Sequence, residues 1–575
     1  MAKTFGGTVI SLPGVYTSAD VSAFVAPVTG GTLNVGIVGP SIGGTLGTVY
    51  KFTSYQEAYK ILKGGELLDL IRLIFNPGGA QGAGLVYAVR VAGSGAAQAS
   101  KAFGTLTLTA IDYGTIGNRI RVGIYNGTAV GKKIVIQDTF TGATETYDNL
   151  GPAFSVKYTG TGASCTLTIT VSNGQATTLS LTPKDDEENV ITEEAIALDL
   201  TSPNYNTVGK VLEAISRLGV YQAIRSPYLT DTDLPASYLE AVSNQDVKTS
   251  AYTVTATLGI CITTINKSSK LVTASKTNAS DTNPPTNTDF TFLTGGNDGG
   301  TPTSTDYANA LNLLTTRDIQ IVCVASGDSS VHNVVASHIN DCSSITGKKE
   351  RVAFLGLANP SATKADYIAA ALPYSNSYRI VMCAPGIVEN INGTLVQRPS
   401  YYTAALLAGL KAGLALKENI THKTVGVVGL TQEFTLSDIT ELMESGVTVV
   451  APSEGDVFRV VKGVTTYRTD NNLAKQEISA VLIIDAISKD IRRTLEERFL
   501  GRALSTTVAK EIAYEVGSVL LRYANNGSLI GNPPYRNIQV NVTNDAVYVS
   551  YEAHPATIAN YIFVAQTFTP AFEWQ

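Results

Sequence analysis

Two cysteines and two histidines, Cys323, His332, His338 and Cys342, fall within twenty residues of one another. Thiolate and imidazole are common zinc ligands, so this stretch is the first place to look for metal chemistry. The His-x5-His spacing falls outside the usual zinc pattern, and Cys323 stands in an apolar, strand-like run. Buried thiols beside histidines on a helix surface are therefore the favoured reading, and no metal is expected. The remaining histidines are His422 and His554. The sequence carries no G-x-S-x-G elbow, no Walker A pattern and no G-x-G-x-x-G between a strand and a helix. The expected catalytic set and the expected cofactor set are both empty.

Three further clusters invite a functional reading. Gly295-Gly296-Asn297-Asp298-Gly299-Gly300 could line up backbone N–H groups around an anion, but no strand precedes it, and a structural turn is favoured. Asp185-Asp186-Glu187-Glu188 lacks the alternating ligands and sharp-turn glycine of a calcium loop, and reads as a solvated loop or a helix start. Lys489, Arg492, Arg493 and Arg498 share the polar side of a helix with Glu496 and Glu497. A solvated face is favoured there, with a docking face for an acidic partner as the alternative.

The elements that would position these residues follow from composition and pattern. The 575 residues suggest about three to five domains. Lys+Arg is 42 and Asp+Glu is 48, a net charge of −6, without the basic excess of a dedicated nucleic-acid binder. Charged residues are only 16%, against about 25% in ordinary soluble domains. With 52 glycines, this suits a β-rich protein whose surface is largely covered by copies of itself. No apolar run reaches the roughly 18–20 residues of a membrane span; the best, 478–487, is cut by Asp485. The opening MAKTFGGTVISLPG has no apolar core of a signal peptide, so folding in the cytoplasm is expected. Cys165, Cys261, Cys323, Cys342 and Cys383 are scattered without a C-x-x-C, a reduced-compartment pattern that leaves bonds between subunits open.

Along the chain, 1–30 reads as an arm with a short strand at Thr8-Val9-Ile10. Residues 33–95 read as α/β, with helices over 54–63 (Ser54 and Glu57 forming a capping box) and 67–75, then a strand over 85–91. The Gly/Ala/Ser stretch 92–100 reads as a hinge. From 103 to 181, period-2 alternation and Asn-Gly turns predict an all-β sandwich or small barrel. The pattern returns to α/β over 203–450, with strands over 319–324, 352–357, 380–384, 425–428 and 447–450 separated by helices. The polar interval 251–289 reads as a long loop or irregular hairpin. In the last part, a helix over 477–499 is predicted to align Ile484, Ile487, Ile491, Leu495 and Phe499 on one face. A second helix (508–524) and strands over 538–542, 546–551 and 561–569 follow. Tyrosines such as Tyr467, Tyr514, Tyr523, Tyr548 and Tyr551 suit either buried contacts between chains or ordinary strand preference.

Several segments, in order, resemble the tail sheath proteins of contractile-tailed bacteriophages. Leu12-Pro13-Gly14-Val15-Tyr16 resembles that family's N-terminal P-G-V-Y. Residues 112–120, DYGTIGNRI, resemble the Y-G-x-x-G-N that opens its β-sandwich insertion, and 293–299, LTGGNDG, its L-x-G-G-x-D-G. The A-x-L-x-A-G-L-x-A-G within 401–413 is similar to its small-residue central helix. Residues 459–467, RVVKGVTTY, resemble its R-V-x-x-G-x-T-T.

The resemblance implies an α/β and α+β multidomain chain. It has a core α+β domain built from both chain ends, an inserted all-β sandwich and a central subtilisin-like, non-catalytic α/β domain. Its expected divisions are an N-terminal arm (1–30), the N-terminal part of the core (31–100), the sandwich (101–185), the central domain (186–450), the C-terminal core (451–555) and a C-terminal arm (556–575). It implies a homo-oligomer of stacked rings wound as a helical sheath, in the virion tail after assembly in the host cytoplasm. Tail tube, baseplate and tail terminator or neck proteins would be its partners, with no nucleic acid and no direct membrane contact. Heterologous contacts of this kind build filaments. Terminal arms would join another subunit's sheet by strand addition. The arm strands would be Thr8, Val9, Ile10 and Leu12 and, at the other end, Tyr561, Phe563, Ala565 and Thr567; the accepting sheet would carry Val547, Val549 and Tyr551. Lys489, Arg492 and Arg493 would face the tube. A metastable extended sleeve would contract on a baseplate trigger and drive the tube through the host envelope without nucleotide hydrolysis. The sheath of a phage-derived injection particle is the nearest alternative. A subtilisin-like hydrolase and a tail-fibre adhesin are the competing classes.

Overall fold

The computed structural model describes residues 3–5, 8–10, 33–79, 81–455, 457–503, 505–543, 546–560 and 564–566. Its frame is a nine-stranded sheet. Across the sheet the order is Thr424–Val425, Val457–Val460, Val447–Ser453, Ile380–Ala384, Val352–Leu355, Ile321–Val324, Val35–Gly39, Val86–Arg90 and Val49–Phe52. The run from Val447–Ser453 to Val86–Arg90 is parallel, and antiparallel strands close both sides. Both faces are covered, which is why these strands read as unbroken apolar runs. Val35, Ile37, Ile321, Cys323 and Phe354 point to the helices Glu66–Phe75 and Ser400–Gly413. Val38, Val322, Val324, Ala353 and Leu355 point to the helices on the other face.

Small residues let Ser400–Gly413 lie against Glu66–Phe75 and the chain that follows it. A Cβ on Gly409 would overlap the Ile74 carbonyl oxygen, and one on Gly413 the Gln81 carbonyl oxygen. The predicted helix start at Ser54 is present, its hydroxyl accepting from Glu57 N–H at 3.3 Å, but the capping box does not close: Glu57 accepts from Thr53 N–H (2.8 Å) rather than from Ser54.

The sheet joins 35–90 directly to 321–460, so the N-terminal stretch assigned to a core with 451–555 shares its sheet with the central α/β region. The strand Val447–Ser453 also runs across the expected boundary at 450. These pairings lie hundreds of residues apart in the chain, where local pattern carries no signal.

The β-rich region is also larger than 101–185. Its hydrophobic core runs from Ala99 to Leu293. Tyr252–Thr255 pairs with Pro152–Tyr158, Val272–Lys276 with Leu106–Tyr113, and Thr288–Phe292 with Ile120–Asn126. The interval read as a loop therefore holds three strands and the helix Thr257–Ser268. That helix, TLGICITTINKS, is rich in β-branched residues that disfavour a helix on propensity alone. The stretch 92–100 is not a free hinge, because it runs beside 294–300. Gly93 N–H donates to Gly300 O (3.1 Å), Ala97 N–H to Asn297 O (2.9 Å) and Gly300 N–H to Ser94 O (2.9 Å).

Beyond the sheet, Ile478–Phe499 and Thr506–Asn525 form a helix pair. Ile487 is buried in their shared core, while Ile491, Leu495 and Phe499 pack at its margin. Ile484 breaks the expected stripe: it is 42% exposed, and Ile483 takes its place in the core. The start of the long helix is enclosed by the sheet as well, so its buried face is set by two neighbours rather than one. A bidentate pair, Arg379 to Asp485 at 2.7 and 2.8 Å, fastens it to the sheet.

Candidate functional site

The candidate metal and catalytic groups are absorbed by packing. His332 and His338 are 2% and 7% exposed, not on a helix surface as expected. Arg351 donates to the His338 ring at 2.8 Å, and Cys342 Sγ lies 3.7 Å from that ring. Burial, then the Arg351 charge, pushes His338 down to about 4. Burial also lowers His332. All five cysteines are free and buried, and burial pushes Cys165 up to about 11. No group of three metal-ligating side chains gathers among the described residues.

The motif residues are brought together in pairs. Asp298 accepts from Thr115 N–H (2.9 Å) and from its hydroxyl (2.7 Å). Asn118 exchanges two bonds with Gly296, at 2.9 and 3.0 Å. The Y-G-x-x-G-N and L-x-G-G-x-D-G segments thus clamp one another where the β-rich region leaves the sheet, and the glycine run, expected as a turn, is instead a stretch bridged to 97–100. Beside them lies a buried charged cluster that sequence reading missed. Arg90 donates to Gly44 O (2.6 Å) and Tyr113 O (2.9 Å). Lys63 pairs with Asp112 (2.8 Å) and Asp138 (3.2 Å). The signal available was their type: charged residues within otherwise apolar runs are buried only when paired.

Thr465 and Thr466 are also structural. Thr466 Oγ1 donates toward Tyr374 O (2.8 Å), and Thr465 Oγ1 donates to Lys475 O (2.7 Å). Thr465 ties this segment to the turn before the long helix, and Thr466 ties it to the approach of the strand Ile380–Ala384.

What remains open is backbone. The hairpin Tyr535–Thr543 and Ala546–Ala553 forms a two-stranded sheet of its own. Val547, Val549 and Tyr551 alternate inward onto the helix pair, while Tyr548, Ser550 and Glu552 face out. An isolated two-stranded sheet is marginal without further strands or a packing partner. Its outer edges carry unpaired backbone donors and acceptors among the described residues, the feature that invites strand addition.

The arms are only partly described. Lys3–Phe5 and Thr8–Ile10 pair with each other as a hairpin, with Thr4 opposite Val9. Thr8, Val9 and Ile10 are therefore strand residues; Leu12, Tyr561, Phe563 and Thr567 lie outside the described residues. Ala565 is exposed and in no strand.

The basic helix face is largely used within the chain. Lys489 pairs with Asp318 and Arg492 with Glu350, and Arg492 also donates to Lys348 O at 2.7 Å. These bonds dock the helix on the amino ends of the sheet strands, while Arg493 stays 64% exposed. A groove of about 270 Å³ lies there, walled by Leu33, Ile319, Leu482, Asp485 and Ala486 and rimmed by Lys489 and Arg493.

Residues 300–466 match the family model for the phage tail sheath protein central domain. The chain is similar to the tail sheath protein of Bacillus phage SP01, with 30% identity over 573 residues, covering 98% of this chain and 97% of the relative. It is also similar to the tail sheath protein of Staphylococcus phage Twort, at 27% identity and 90% coverage of each chain. Among solved structures, a sheath tail protein from Desulfitobacterium hafniense superposes with a TM-score of 0.55 at 15% identity, covering 94% of this chain and 96% of that one.

Proposed function

The chain belongs to the phage tail sheath protein family, and we propose that its copies polymerise by completing one another's C-terminal sheet. It is a structural subunit of the contractile tail sheath of a bacteriophage. The observation that carries the linkage is the two-stranded hairpin, whose inner face is packed and whose edges are unpaired among the described residues. Strands from the arms, at Thr8–Ile10 and within 561–569, extend that sheet in neighbouring copies. The backbone bonds formed this way do not depend on side-chain identity, so they survive while other faces repack.

Helical winding around a tail tube, contact with baseplate and terminator proteins, and assembly in the host cytoplasm belong to the same reading. The extended sleeve stores free energy at assembly and releases it in a collective rigid-body change. The central sheet is a subtilisin-like frame without catalytic use; in support, His332 and His338 are buried and His338 is held by Arg351, while His422 is exposed. Of the helix face assigned to the tube, Arg493 is the most exposed residue, and its pair is a local one to Asp490 at 3.7 Å. The near full-length relatives are named as phage tail sheath proteins, which favours a phage over an injection particle.

Deleting residues 561–575 tests the linkage. The truncated protein is expected to stay folded and monomeric where the full chain forms tubes; unchanged tube formation contradicts it.

A further inference from the structure

Glu477 is a carboxylate that packing alone does not explain. It is 1% exposed and stands as the N-cap residue of the long helix, yet its side chain caps no helix N–H. Its described side-chain partner is Asn560, whose Nδ2 donates to Oε1 at 2.7 Å. Its other oxygen, and the Asn560 Oδ1, have no partner among the described residues. A buried charge is costly unless it is held by hydrogen bonds, so a single neutral donor makes this contact important to both sides.

The surroundings are firm. Glu477 N–H donates to Leu473 O (3.0 Å), Thr465 N–H donates to Gln476 O (2.9 Å), and Val464 bridges Glu477. On the tail side, Ala556 N–H donates to Ser528 O (2.8 Å), and Leu529 bridges Pro555. Asn560 is the last described residue of the chain to make such a bond; Val564, Ala565 and Gln566 are exposed.

We propose that Glu477 anchors the root of the C-terminal arm through Asn560, so that the stretch able to reach another copy begins after residue 560. The contact joins the tail to the start of the long helix and, through Val464 and Thr465, to the last strand of the sheet. Leu33, which follows the N-terminal arm in the sequence, lines the groove walled by Leu482, Asp485 and Ala486 of the same helix. A pull on either arm is then delivered to one helix. This consequence rests on the arm-exchange reading; the anchor itself does not.

The test is hydrogen–deuterium exchange on the full-length, unassembled protein. In Asn560→Asp a second carboxylate faces Glu477, and amides over 554–566 should exchange roughly tenfold faster or more, as expected for loss of a charged hydrogen bond. In the double variant Glu477→Gln with Asn560→Asp, donor and acceptor are exchanged, and protection should return to within about twofold of the parent. Unchanged exchange in the single variant overturns the anchor, as does a double variant as fast as the single one. Tube formation is scored separately. Normal tubes from the 561–575 deletion overturn arm exchange while leaving the anchor result to stand on its own.

Discussion

The β-rich region and the C-terminal hairpin are both antiparallel β-structure, but they differ in how much core holds their strands. The first gathers four sheets and two helices around one core, from Ala99 to Leu293, and is clamped at its exit by Asp298 and Asn118. The second has two strands and one packed face, and stops. The four sheets of the first module are themselves open at their edges, but one large shared core makes that module stable by itself. A two-stranded sheet with open edges gains from each strand added. The contrast separates what makes the subunit stable from what makes it polymerise, and each half can be perturbed alone.

The largest effect should come from the two-stranded module: removing 561–575 abolishes tubes in electron micrographs while the melting temperature of the monomer barely moves. The mirror experiment is in the first module. Ile169→Ala empties a buried position and should cost about 2–5 kcal/mol in denaturant unfolding, yet the folded fraction should still form tubes. Next is the clamp. Asp298→Ala strips two bonds from Thr115 and should lower stability by about 1–3 kcal/mol, with proteolysis appearing first near 92–100 and 294–300.

Acid should loosen the same junction. Burial works to raise the Asp138 pKa, but bonds from Phe140 N–H, the Thr141 hydroxyl and Lys63 outweigh it and hold the carboxyl below its usual 3.8. A depressed folded pKa means the stabilisation is full above the unfolded value of about 3.9 and fades as pH falls through the lower folded one. Melting curves between pH 5 and 2 should show this fading, and Asp138→Asn should flatten it. The smallest effect is at Lys489→Ala, an exposed ion pair that should change stability by about 1 kcal/mol or less. A clear loss of tube-protein binding in that variant, with stability intact, would restore Lys489 to the tube-facing surface.

Sequence carried the local half of this architecture. The central strands, the capping at Ser54 and the two C-terminal helices were legible because buried parallel strands and helix caps leave periodic, short-range marks. The sheet joining 35–90 to 321–460 was not, because nothing local encodes a partner hundreds of residues away. The helix Thr257–Ser268 was hidden by its β-branched residues, and Ile483 displaced Ile484 because two surfaces bury that helix. The family segments were legible as motifs, but not their pairing: that Asp298 answers Thr115, or that Glu477 meets Asn560, appears only once the chain is folded. The candidate sites followed the same line. Val547, Val549 and Tyr551 come from the resemblance as part of an accepting sheet, and their packing onto the helix pair is visible only in the structure; Lys489 and Arg492 read as outward because their partners Asp318 and Glu350 are remote.

The most direct test of the central claim is a helical reconstruction of the polymerised protein at a resolution that traces the chain. The account predicts that the pair Tyr535–Thr543 and Ala546–Ala553 gains at least one strand belonging to another copy. A polymer in which that sheet stays two-stranded, with every arm folded on its own subunit, would contradict it.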